Sequence, residues 1–369
     1  MRVSSREAYV APDRGDQGNA LKTVVAMPFV IDGERGQVTI NSQGVRHEIT
    51  LAIDHIRQTP VITHDKHQDD RFVKNGTSVT VELPRSFFDD EGQDLQESDY
   101  DGDEDLPRSL LSPKERFLQI ADDFTFLNPH VSLTCDWYGE RIEGQATNAE
   151  WSKWRPSDPT SAHWYTDEHL ARLVSAHLSH GKYSTVRELV ADFRGLSSTA
   201  KQKRVLATAG LTRAPLEGLI NGDGKSLDRP LLEKLLSAMR EESKPVKPAA
   251  LGVIGREHLE TKFESLGCEM ESFNYKKVAG DTDGIPWIVE TAFGWCDDAK
   301  RRRRIVTGVN WSPGIINPFR ELGTYGRSLD TVLSQQRATA EEPIVFLLHM
   351  ACPRVQFADR GKSSVIVEN

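Results

Sequence analysis

The chain has 369 residues, a formal net charge of −9 and a hydrophobic fraction of 38%. With a mean hydropathy of −0.49, no bilayer-length apolar run and no charged-then-apolar start, it reads as neither a membrane protein nor a secreted one. A cytoplasmic location and about two or three domains are expected.

The average charge hides its distribution. Ten acidic residues and no Lys or Arg lie between Asp89 and Asp105; the rest of the chain holds 45 acidic against 46 basic residues, so acidity gives no argument against DNA. The cysteines Cys135, Cys268, Cys296 and Cys352 are scattered, without zinc spacing or disulfide density, and are expected to be reduced, mainly structural thiols.

In chain order, Asp13-Arg14-Gly15-Asp16-Gln17-Gly18-Asn19 runs small and turn-forming residues straight into Ala20-Leu21-Lys22-Thr23-Val24-Val25, where Leu21, Val24 and Val25 are expected to share a helix face. Backbone N–H groups and a helix N-terminus aimed at one spot suit a phosphate; two glycines before a helix also serve as a plain turn and cap. Gln37–Ile40 is expected to pair, through an Asn41–Gly44 turn, with a strand placing Val45, His47, Ile49, Leu51 and Ile53 on one face. Val79, Val81 and Leu83 alternate likewise. His64 and His67 sit close together without a second ligand pair, which does not make a metal site. The acidic stretch at Asp99–Asp105 lacks the spacing of a calcium loop and reads as a solvated loop.

Ser112-Pro113-Lys114-Glu115 forms a capping box with Pro at the first helical position. Phe117, Ile120, Ala121 and Phe124 make that helix's stripe, Asn128-Pro129-His130 ends it, and Val131–Trp137 reads as a strand. Short helices follow at Thr166–Leu178, Thr185–Phe193, Ser198–Ala209 and Asp228–Arg240, then a Lys/Pro linker over Ser243–Ala249. The last third reads as strands at Trp287–Trp295, Ile305–Trp311 and Pro343–Met350, with a helix at Ser328–Arg337 between the last two.

Four stretches in this order resemble the B subunit of type IIB DNA topoisomerases (topoisomerase VI), whose ATPase belongs to the GHKL (Bergerat) class. Arg14-Gly15-Asp16-Gln17-Gly18 is similar to the lid that wraps the triphosphate. Gly76-Thr77-Ser78-Val79 with Glu82-Leu83-Pro84 resembles the strand closing the adenine pocket. Phe126-Leu127-Asn128-Pro129-His130 resembles the segment ending the ATPase domain, and Ala358-Asp359-Arg360-Gly361-Lys362-Ser363 the transducer loop whose lysine reaches the γ-phosphate. The resemblance implies an α+β chain in three parts: a partial GHKL α/β sandwich over 1–150, a helix-two-turn-helix-like module over 160–245 and a ribosomal S5-like α/β transducer over 250–369.

It also implies ATP and Mg²⁺ as cofactors. Backbone N–H groups of Gly15 to Asn19 would cradle phosphate oxygens, with Gln17 and Gly18 in the lid. Gln17 would bond the γ-phosphate or seat the lysine, Arg14 would anchor the lid or touch nucleotide, Thr77 would reach adenine through a water, and Lys362 would sense the γ-phosphate. Partners would be DNA, an A-type DNA-cleaving subunit and a second copy on ATP binding. The family's general-base Glu, Mg²⁺-ligating Asn and adenine-binding Asp precede the lid there and have no counterpart here, so the chain reads as a B subunit truncated or split, without ATP turnover of its own. The alternative is a non-catalytic remnant that binds protein or DNA without nucleotide. For DNA, Lys300-Arg301-Arg302-Arg303-Arg304 is the strongest basic run, and Arg187, Arg194, Lys201, Lys203 and Arg204 offer a second surface on the helical module.

Overall fold

Gln43 and Gly44 set the register of the first sheet. Both have positive φ, 53° and 76°, which makes the two-residue turn whose twist matches a right-twisted hairpin. It joins β1 (Arg35–Ser42) to β2 (Val45–Asp54) with Ser42 opposite Val45. β3 (Thr59–Gln68) and β4 (Thr77–Glu82) complete an antiparallel sheet of order β3-β2-β1-β4. Helix α1 (Ala20–Asp32) packs across β1. The approach is close at Gly36, where an added Cβ would run into the backbone of Phe29. Along the face expected from Leu21, Val24 and Val25, only the first-turn Leu21 is well exposed (57%); Val24 and Val25 are half-buried, and Pro28, one turn further along the same face, is buried. Nearly all of α1 is apolar, so periodicity alone does not pick its inner face.

The computed structural model describes residues 8–13, 20–68, 75–83, 113–137, 139–155, 157–181, 183–222, 224, 226–297, 302–314, 316–322, 327–358 and 364–366. Arg14, Gly15, Gln17, Gly18, Asn19, Lys300, Arg301 and Lys362, and the acidic stretch 89–105, lie outside them. The chain forms two compact units: 17–109, which holds the sheet above, and 1–16 together with 110–369. Among the described residues no helix is long and apolar enough to cross a membrane.

The larger unit begins with α2 (Pro113–Leu127) and a hairpin of β5 (Leu133–Trp137) and β6 (Glu140–Gly144). Four capped helices follow. α3 (Asp167–His180) starts at Thr166 and stops at left-handed Gly181. α4 (Val186–Ala191) carries a reciprocal Thr185/Glu188 capping box. α5 (Thr199–Ala209) runs from Ser198 to left-handed Gly210, and α6 (Arg229–Glu241) is capped by Asp228. Their apolar faces meet in a core of Leu170, Val174, Leu189, Phe193, Leu235 and Leu236, joined by Ala8 and Val10 from the N-terminal segment. That segment is stitched down by Tyr165, whose hydroxyl accepts from the Val10 amide (2.9 Å), and by Thr160, which donates to the Val10 carbonyl (2.6 Å).

The remainder is a five-stranded sheet of order β10-β9-β11-β8-β7. Its strands are β7 (Asn274–Thr282), β8 (Ile285–Trp295), β9 (Arg304–Val309), β10 (Ser312–Pro313) and β11 (Ile344–Ala351). β9 and β11 pair in parallel, with α8 (Leu329–Gln335) between them in sequence; the other pairs are antiparallel. One face (Ile288, Ala292, Val306, Val345, Leu347) forms a core with α2 and with α7 (Arg256–Ser265); the other (Val309, Ile344, Leu348) packs on Leu329 and Leu333 of α8. The observed class is mixed α/β with largely antiparallel sheets.

α2 lies so close to β9 that a Cβ on Gly308 would stand 2.5 Å from Leu127 Cδ1. Gly308→Val is expected to destabilise the larger unit by about 1–3 kcal/mol, seen as a lower urea midpoint with an unchanged m-value; a wild-type midpoint would contradict this packing.

Candidate functional site

The turn between β9 and β10 carries two successive left-handed residues, Asn310 (φ 50°) and Trp311 (φ 60°). For Trp this conformation is strained and persists only where the surroundings over-determine it. Asn310 supplies much of the restraint. Its Oδ1 accepts from the Cys352 amide (2.9 Å), and its Nδ2 donates to the carbonyls of Cys352 (3.0 Å) and Asp13 (3.4 Å). One side chain thus ties the turn to the end of β11 and to the residue directly before Arg14.

Beneath the turn lies a buried polar relay. The Trp311 amide donates to His349 Nε2 (3.3 Å), and His349 Nδ1 donates to Glu290 Oε2 (3.1 Å). In this arrangement Nε2 faces the amide and Nδ1 faces the carboxylate. Glu290 and His349 are both fully buried. The carboxylate also accepts from the amides of Ile254 (2.9 Å) and Gly255 (3.0 Å) and from the Tyr275 hydroxyl (2.7 Å). Burial alone would raise the Glu290 pKa, but the His349 contact and the two amides outweigh it and hold it below the ordinary 4.5.

Asn128 and Lys153 complete the cluster. Asn128 Nδ2 donates to the carbonyls of Phe124 (3.0 Å) and Trp311 (2.9 Å), so it caps the last turn of α2 and reaches the strained turn at once. Its Oδ1 accepts from Lys153 Nζ (3.0 Å). The ammonium sits 5.1 Å from the Trp311 ring centre and 5.9 Å from that of Trp151, on which His130 stacks at 5.0 Å. Burial lowers the Lys153 pKa, opposed by the Asp13 carboxylate. Lys153, Trp151 and Asn310 belong to none of the motifs in the sequence; the one available signal is a lysine between two tryptophans in Trp151-Ser152-Lys153-Trp154.

The other sequence-derived residues fall elsewhere. Thr77 opens edge strand β4, exposed, its hydroxyl 3.1 Å from that of Ser42. The basic run is not uniformly outward. Arg302 is exposed, 3.8 Å from Glu341. Arg303, only 5% exposed, bonds Asp330 and the Ala338 carbonyl. Arg304 bonds Asp122 (2.8 Å) and Asp123 (2.6 Å) over the Phe126 ring. Burial raises the Asp123 pKa to about 6 against the pull of Arg304. The expectation of a five-residue DNA surface therefore fails for Arg303 and Arg304, whose charges are neutralised inside the fold.

On the helical module Arg187 is tied to Gln202 and Thr199, and Arg204 makes a bidentate pair with Glu242. Arg194 and Lys201 instead line a groove of about 600 Å³ with Lys244 and Lys247. Arg194 lies 5.0 Å from the Trp154 ring, and Lys201 donates to the Gly195 carbonyl (2.9 Å). His64 and His67 project from opposite faces of β3: His64 stacks on His47, and His67 lies 3.9 Å from Glu48. Among the described residues no three His, Cys, Asp or Glu side chains cluster to hold a metal.

No protein family matches the chain, and no curated protein matches it. Among solved structures it is similar to the B subunit of DNA gyrase from Myxococcus xanthus, at 11% identity and a TM-score of 0.30 over 90% of this chain and 62% of that one. It is also similar to the 43K ATPase domain of Thermus thermophilus gyrase B in complex with an aminocoumarin, at 10% identity and a TM-score of 0.28 over 96% of this chain and 66% of that one. The chain thus spans less than two thirds of each. At these scores the likeness carries no functional argument.

Because the Glu290 pKa is depressed on folding, its stabilisation is present above pH 4.5 and is lost as pH falls through the lower native value. Glu290→Gln places an amide NH₂ among donors and is expected to cost about 1–3 kcal/mol at neutral pH and to flatten the acid limb of stability below about pH 5. Urea midpoints measured across that range check both; an acid limb as steep as wild type would contradict the assignment.

Proposed function

We propose that the chain is a B-type subunit, or a fragment of one, in a topoisomerase VI-like complex, coupling ATP binding to movement of a DNA gate in an A-type partner. The supporting observation is the convergence at Asn310. Three residues from distant parts of the sequence meet around it: Asp13, directly before the lid-like segment; Asn128, of the Asn128–His130 segment; and Cys352, between β11 and the segment that carries Lys362. Asn310 bonds Asp13 and Cys352, while Asn128 bonds the adjacent Trp311 and Lys153.

In this reading Arg14, Gly15, Gln17, Gly18 and Asn19 form the lid over ATP and Mg²⁺, Thr77 faces adenine, and Lys362 reports the γ-phosphate. The division into 1–150, 160–245 and 250–369 is then functional: nucleotide, helical module, transducer. The two copies would dimerise on ATP.

DNA is assigned to the groove of Arg194, Lys201, Lys244 and Lys247, with Arg302 from the basic run. Among the described residues none of the four groove cations has an ion pair with a carboxylate, unlike Arg204 and Arg303, so their charges remain available to phosphates.

Duplex DNA binding measured against salt, with ATP turnover followed on the same protein, tests the proposal. The expected outcome is salt-dependent binding whose log–log slope falls by about three units in the triple variant Lys201→Ala/Lys244→Ala/Lys247→Ala, with no turnover by the chain alone. Salt-insensitive binding, or turnover abolished by Lys362→Ala, would contradict it.

A further inference from the structure

Cys268 and Cys296, 28 residues apart, face each other across an isolated antiparallel bridge, with their sulfurs 2.9 Å apart. Cys268 follows α7, and Cys296 follows β8. Their backbones do not bond each other: the Cys268 amide donates to the Phe263 carbonyl (3.1 Å) and the Cys296 amide to the Pro343 carbonyl (2.7 Å). The flanking bond runs from the Glu269 amide to the Trp295 carbonyl (2.7 Å). In an antiparallel ladder such a non-hydrogen-bonded pair brings side chains closest, with Cα atoms about 4.5 Å apart, inside the range a disulfide requires. The sulfurs need to approach by roughly another 0.9 Å to reach a bond length of about 2.05 Å.

We propose that Cys268 and Cys296 are a covalent modification site, closing to a reversible disulfide when a small-molecule disulfide of the glutathione class is present. The balance is complete. The Cys268 thiolate, from the more exposed residue at 6% against 1%, attacks oxidised glutathione and releases one reduced glutathione. The Cys296 thiolate then attacks the Cys268 sulfur of the mixed disulfide and releases the second. Two protein thiols lose two electrons and two protons, and one glutathione disulfide gains them.

A metal is the other ligand class for two facing thiols, but no third ligand accompanies them among the described residues. Plain burial is the bland alternative, since free cysteine behaves as a small hydrophobe. The register distinguishes them, because packing alone does not require the two cysteines to be direct cross-strand partners.

Closure has a structural consequence. α7 holds α2 through Lys262, which donates to Thr125 Oγ1 (2.7 Å), and through His258, 3.0 Å from the Phe126 carbonyl. A bridge at Cys268 pins the end of α7 to the sheet, and with it the seat of α2 and Asn128.

The test uses the full chain, folded, treated with oxidised glutathione in the absence of urea and at a subdenaturing concentration that admits the reagent, then alkylated and digested without reductant. The expected result is a Cys268–Cys296 cross-linked peptide pair two hydrogens lighter, reversed by dithiothreitol and absent in Cys296→Ser, with a higher urea midpoint for the oxidised protein. Full alkylation of both cysteines under both conditions, or a stable glutathione adduct on Cys268 with Cys296 still alkylated, would overturn the proposal.

Discussion

A buried carboxylate underlies the organisation of the larger unit. Glu290 accepts from two amides, a tyrosine and a histidine, and through His349 it restrains the strained turn at Trp311. An unpaired buried carboxylate would be costly, whereas this one has a donor in every direction that the structure offers. The relay also reaches several elements at once. Ile254 and Gly255 lead into α7, Tyr275 lies on β7, Glu290 on β8 and His349 on β11. Removing the charge therefore affects how these elements meet, and Asn310 and Asn128 are positioned only as well as that turn is held.

The cationic residues illustrate how sequence and structure divide the work. Five consecutive basic residues from Lys300 look like one surface, yet Arg303 and Arg304 spend their charge on Asp330, Asp122 and Asp123. Arg304 opens the strand β9, whose residues face the two cores, so its partners lie inward on α2. The groove on the helical module was half legible. Arg194 and Lys201 stand out as basic residues of the module, whereas Lys244 and Lys247 fall in a Lys/Pro stretch that reads as a linker.

The legible elements share a local cause. α3, α4, α5 and α6 each carry a side-chain N-cap, and two of them end at a left-handed glycine, so their limits are written in single residues. α7 starts at Gly255 without a side-chain cap and buries His258 and Lys262, which breaks its apolar period; both are satisfied by α2, far away in sequence. β3 is exposed throughout, so it shows no inward face to read. β7 is signalled by Asp283-Gly284, whose φ values of 51° and 78° make the turn to β8, rather than by its own side chains. The cluster around Lys153 was the least legible part of the site. It is assembled from residues near positions 13, 130, 153, 310 and 350, and only the fold brings them together.

Asp13, directly before the lid-like segment, and Cys352, ahead of Lys362 in the sequence, meet at Asn310. Replacing Asp13 with cysteine and treating the folded chain with a short bifunctional thiol reagent measures that meeting directly, by mass spectrometry of the linked peptides. A dominant link is expected between position 13 and Cys352, whose backbones share the Asn310 side chain. Modification of both cysteines without a link between them would contradict it.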